Sequence, residues 1–164
     1  MTGDPDVALW KAAAADPRVS EVLIAIFKDA TEVVRRERPL CLASGRCCRF
    51  EAHGHRLYVT GLEAAWFLKQ LAESRGRLLQ VSEIEAARDR GDCPLLQDGL
   101  CSVHDIRPFG CRGYFCDPRA TWQEATYERW HQQVRVLHDE LEVPYRYGEW
   151  RGMLETLVDD RASE

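Results

Sequence analysis

The sequence predicts a mainly α fold: a single helical domain with a short β-hairpin and two irregular cysteine-bearing loops. Three observations predict it. Apolar residues recur at helical spacing in several stretches before Pro39 and after Pro118. An Asp98-Gly99 pair separates Leu95-Leu96-Gln97 from Leu100, a hairpin signature. All seven cysteines fall between Cys41 and Cys116, in segments without periodicity. At 164 residues the chain suits one ordinary core. We divide it into a helical N-terminal part (5–38), a cysteine-bearing core (41–116) and C-terminal helices (118–159).

Pro5, followed by Val7, Leu9 and Trp10, opens a short helix, and Asp16-Pro17 interrupts it before a second, because proline suits a first helical turn. Val19, Val22, Leu23, Ile26, Phe27, Ala30 and Val33 give this second helix an apolar face, and Arg35 to Arg38 close it before Pro39. From Leu40 to Thr60 the periodicity dissolves, with Leu57-Tyr58-Val59 as a candidate strand. Thr60 with Glu63 forms a capping-box pattern for a third helix that carries Leu62, Ala65, Trp66 and Leu68 to Leu71. Ser82 with Glu85 repeats the pattern for a short helix ended by Gly91. The hairpin follows, with a cysteine near each end. From Asp105 to Pro118, glycines and prolines forbid long regular structure. Thr121 with Glu124 then marks what reads as the longest helix, bearing Trp122, Trp130, Val134, Leu137 and Leu141 and ending near Pro144. Trp150, Met153, Leu154, Leu157 and Val158 form the apolar face of a final helix with a frayed end.

Composition excludes several classes. A formal charge of -5 argues against a nucleic-acid surface. No segment approaches the roughly 20 apolar residues of a membrane-spanning helix. The start, with Asp4, Pro5 and Asp6, does not resemble a secretory signal, so we expect a soluble, cytoplasmic protein. In that reducing compartment seven cysteines are not a disulfide framework, and their odd number would leave one unpaired.

Cysteines used as small apolar residues would be scattered through the helical stripes, whereas here none lies on an expected helix face. Loops with little apolar content cannot offset their ordering entropy, and thiolate–metal bonds can supply that free energy. The metal would organise the loops. Cys47 and Cys48 are adjacent and point differently, Cys93 and Cys101 flank the hairpin, and Cys111 and Cys116 are a turn apart. Soft thiolates favour zinc or iron, including an iron–sulfur cluster, over calcium or magnesium. No Cys-x-x-Cys occurs, so an ordinary zinc ribbon or a thioredoxin-like motif is disfavoured, and seven thiols exceed the four that one tetrahedral ion requires.

The order Cys41-Leu42-Ala43-Ser44-Gly45-Arg46-Cys47-Cys48-Arg49, then Cys93-Pro94-Leu95-Leu96, then Cys101 through Arg107-Pro108-Phe109-Gly110-Cys111-Arg112 to Cys116 resembles the CxxCxxCC cysteine-cluster family, described as a zinc- or iron-chelating domain. The likeness spans Cys41 to Cys116 and is most specific from Cys101 to Arg112. It implies metal binding and no defined reaction. Ser44 stands where the family pattern has a second cysteine, and His104 where it commonly has tyrosine. The missing thiol shifts weight to Cys47, Cys48, Cys93, Cys101 and Cys111, with Cys41 and Cys116 as peripheral members of the ligand set.

Among the remaining candidates, His104 is an additional ligand or an aromatic substitute, and His53 and His55 could complete a site or act as bases, against the plainer reading of solvated side chains. Arg107 and Arg112 would offset thiolate charge, bind an anionic substrate or form structural ion pairs. Glu128, His131 and His138 share a helix face read as solvated, and the tryptophans read as core. Phosphate loops, nucleotide fingerprints, nucleophile elbows and metalloprotease motifs are absent from the sequence. Three functions remain: a metal-binding protein holding zinc or iron, a metal-dependent enzyme with an open coordination position or cluster, and a redox- or metal-sensing interaction module. A protein partner or small-molecule substrate is not specified by the residues.

Overall fold

The computed structural model describes residues 3–41 and 45–159 and is 61% helical. Leu42, Ala43, Ser44 and the frayed end expected after Asp159 lie outside the described residues. Asp4 and Asp16 start α1 (Pro5–Ala13) and α2 (Pro17–Glu37) by accepting the N–H groups of Asp6 and Arg18 at 3.0 and 2.9 Å. Proline occupies the first turn of each. At 21 residues, α2 is the longest described helix, which corrects the expectation placed on the C-terminal one.

The segment read as an irregular loop contains a 3-10 turn (Arg46–Cys48) and the one-turn helix α3 (Phe50–His53). Phe50 is buried, so even this polar stretch contributes an anchor to the core. Strand β1 (Tyr58–Thr60) leads into α4 (Gly61–Arg75), whose Thr60 hydroxyl caps the Glu63 N–H at 3.2 Å. Helix α5 (Val81–Arg90) starts earlier than expected. Glu83 reaches back to the Gln80 N–H at 2.8 Å, so the capping pair is Gln80 and Glu83, not Ser82 and Glu85.

Strands β2 (Leu96–Gln97) and β3 (Leu100–Cys101) form the expected hairpin, with Asp98 and Gly99 at φ 51° and 78°. Within the second irregular region, α6 (Phe109–Arg112) forms a single turn. Cys47, Cys48 and Cys111 therefore do lie on helical turns, though very short ones. Helix α7 (Gln123–Glu140) follows Trp122, which supplies no side-chain cap, so the Thr121–Glu124 pattern does not start it. β4 (Tyr147–Glu149) pairs antiparallel with β1 and runs directly into α8 (Trp150–Asp159).

The core is aromatic at its centre: Trp10, Trp130, Trp150, Phe50, Phe67 and Phe109 are fully buried. Helix α4 is buried through most of its first turns because α1 and α8 both lie against it. Gly61 sits where Trp10 crosses α4, and a Cβ there would collide with the indole ring. Helix α2 packs on α6 and α7, while α5 packs on α8. Of the cysteine-bearing turns, α6 is held between α2 and α7. No described helix is long and apolar enough to cross a membrane.

Candidate functional site

Backbone contacts bring the cysteine segments together. Gly45 enters the 3-10 turn with φ 71°, and a Cβ added there would run into the Gly99 carbonyl oxygen, so the turn lies directly on the hairpin tip. The Cys93 N–H donates to the Cys48 carbonyl at 2.7 Å, fixing the approach to the hairpin. Cys101 stands opposite Leu96 in the ladder. As a result the Cys48 thiol lies near enough to those of Cys101, Cys47 and Cys93 for each to act on its ionisation. The Trp150 indole N–H donates to Cys93 Sγ at 3.4 Å, which binds the cluster to α8.

Cys111 joins from α6, close enough for charge on Cys93, Cys101 and Cys47 to act on it. All seven cysteines are free thiols. Cys41 and Cys116 are exposed and border a cavity of about 280 Å³, together with Cys47, Cys111, His104 and Arg107. The Leu40 N–H donates to Asp117 Oδ2 at 2.9 Å, drawing the start of the first cysteine segment to the end of the last.

The thiols are electrostatically unequal. The neighbouring Cys101, Cys47 and Cys93 thiols, with burial, raise the Cys48 pKa far above the ordinary thiol range, so Cys48 stays protonated. The Cys48 thiol in turn stabilises charge on Cys47 and Cys101, and these two are lowered, with the Arg107 guanidinium acting in the same direction. Desolvation pushes the half-buried Cys111 thiol well up. Arg107 Nε is buried without a hydrogen-bond partner, beside thiols on which its charge acts. Arg112 plays a different part. Its Nε and one terminal nitrogen donate to the Arg107 and Asp105 carbonyls at 3.0 and 2.6 Å, and its guanidinium lies 3.6 Å from the Phe27 ring centroid. Burial lowers its pKa to about 10.

The histidines separate. His104 borders the thiol-lined cavity, and partial desolvation there, followed by the nearby Arg107 and Arg112 charges, lowers its pKa. His55 stacks on Tyr114 with 3.8 Å between centroids, and burial keeps its imidazole neutral to lower pH. His53 ends α3, exposed. His131 and His138 are both buried, which overturns the solvated-face expectation. Tyr145 and Tyr147 cover His131, and His138 Nδ1 meets the Val134 carbonyl at 2.9 Å while its Nε2 is unpartnered.

Two features escape a sequence reading. Glu63 is 2% exposed, accepts the Phe109 N–H at 3.0 Å, and is raised to about 8 by desolvation. Its position in a capping pattern accounted for it locally, and only the fold brings Phe109 to it. Tyr127 and Tyr147, joined through their hydroxyls, stand close enough to feel its charge. Neither tyrosine carries a motif.

Among the described residues, no three Cys, His, Asp or Glu side chains form a group set to hold an ion. Comparison with protein-family models, with curated proteins and with solved structures gives no match for this chain.

Proposed function

We propose that this chain is a metal-binding protein in which Cys47, Cys48, Cys93, Cys101 and Cys111 hold zinc or iron, including iron in an iron–sulfur cluster, with Cys41 and Cys116 as peripheral ligands. The observation that carries the reading is that Cys47, Cys93 and Cys101, drawn from separate segments and free of disulfides, all lie near enough to Cys48 to act on its ionisation. The donor chemistry fits: four sulfurs on a tetrahedral ion at about 2.3 Å stand roughly 3.8 Å apart, a separation that neighbouring thiols can reach. Loss of the thiol protons and re-aiming of the side chains toward one point would convert the clustered set into a ligand set. Arg107, with its unpartnered Nε, is suited to offset thiolate charge. The resemblance to the CxxCxxCC cysteine-cluster family supports the same reading.

Bound metal would supply thiolate cross-links to the loops and, in iron–sulfur form, electron transfer. The test is elemental analysis of anaerobically purified protein together with its absorption spectrum. We expect a stoichiometric metal, brown with visible absorption for iron–sulfur and colourless for zinc. Cys48→Ser should lose most of it, and Cys116→Ser should keep most. Metal-free protein indifferent to chelator would sink the proposal.

An enzymatic reading draws on one specific observation, the cavity of about 280 Å³ bordered by Cys47, Cys111, His104 and Arg107, which would give a substrate access to the thiol-bearing side of the site. Turnover that survives alanine at His104 and Arg107 alike would exclude it.

A further inference from the structure

A second cavity, of about 360 Å³, shares Tyr114 with the first. Its walls are rings: Tyr58, Tyr114, Tyr127, Tyr147 and His55, with Arg56 and Glu124 as the charged lining residues. Tyr58 and Tyr147 come from adjacent strands, with 5.6 Å between centroids, and are 41% and 40% exposed. Tyr114 is held by its stack on His55, and Tyr127 by its packing on Phe109 and its hydroxyl contact with Tyr147. Tyr58 and Tyr147 leave large aromatic surface open to water beside the cavity, while the centre of the core is filled by other aromatic residues.

We propose that this aromatic cavity binds an organic ammonium cation, such as a trimethylammonium group, against the faces of Tyr58, Tyr114, Tyr127 and Tyr147. Several rings around one space are the arrangement by which quaternary ammonium ions are recognised, since each π face is negative and the methylated ion is weakly hydrated. Glu124 adds a carboxylate to the lining. An anion would find only Arg56 among the charged lining residues to meet it, beside Glu124. The inference does not rest on metal binding by the thiols.

Calorimetric or NMR titration of the full chain tests it, with choline, with its uncharged carbon isostere bearing a tert-butyl group, and with a short peptide containing trimethyllysine. We expect choline or the peptide to bind roughly tenfold or more tighter than the uncharged isostere. The tighter of the two identifies a free amine or a modified side chain as the source of the group. Tyr147→Leu and Tyr58→Leu, at exposed positions where folding is readily checked by circular dichroism, should each weaken binding by about tenfold. Equal binding of the isostere, no binding of either cation, or full affinity in both leucine variants would overturn the proposal.

Discussion

Gly45 shows how much of the candidate site depends on one backbone conformation. Its φ of 71° is one that a Cβ disfavours, and its approach to the Gly99 carbonyl leaves no room for one. Gly54 has a similar φ, 61°, but open space around it. Alanine at Gly54 should therefore cost about 1 kcal/mol, the dihedral penalty alone. Alanine at Gly45 should cost more than about 2 kcal/mol, because the turn must also leave the hairpin. Denaturant midpoints of the two variants check this, and equal losses would mean that the turn does not depend on its seat against Gly99. The sequence displayed Gly45 beside Cys47 and Cys48 but not its partner, which lies on a separate hairpin.

Helix α4 carries the clearest pH dependence. Folding holds a proton on Glu63 up to about pH 8, whereas an unfolded glutamate loses it near 4.5. Across that window the native state binds more protons than the unfolded one, so this contribution to stability is full below about pH 4.5 and declines as pH rises toward 8. The slope is at most about 1.4 kcal/mol per pH unit. Glu63→Gln keeps an oxygen to accept the Phe109 N–H and removes the titration. It should match the parent near pH 4 and surpass it in melting temperature by a margin that grows from pH 5 to pH 8, and parallel melting curves for the two would refute the assignment. The same helix shows why sequence legibility is uneven. Thr60 was readable because its capping partner is Glu63, three residues away. Ser82 with Glu85 fits the capping pattern better than Gln80 with Glu83, because glutamine is not a usual N-cap, so the residue types pointed to the wrong pair. The β1–β4 pair joins Tyr58 to Glu149, too distant for any local signal, and burial of His131 and His138 follows from what packs on α7, not from the periodicity of α7 itself.

At the scale of the whole molecule, the helices and the cysteine-bearing turns draw on different sources of stability. Trp10, Leu23, Leu71, Trp130, Leu137 and Leu154 are buried among α1, α2, α4, α7 and α8, and that burial needs no thiol. The turns around Cys48, Cys93 and Cys101 add a few buried side chains, such as Phe50 and Leu95, to backbone otherwise ordered by single hydrogen bonds such as the one from Cys93 to Cys48. The cysteine clustering was legible because it departs from helical periodicity; the tethers that make it converge were not. If thiolates hold a metal, its removal should act unequally. Hydrogen exchange after anaerobic chelation is expected to show protection lost at 45–50 and 92–103 while α4 and α7 keep theirs, with far-ultraviolet circular dichroism changed little. Uniform loss of protection would mean that metal is needed to hold the helices together, and unchanged protection at 92–103 would mean that hydrogen bonds and the buried Leu95 suffice to order the hairpin without it.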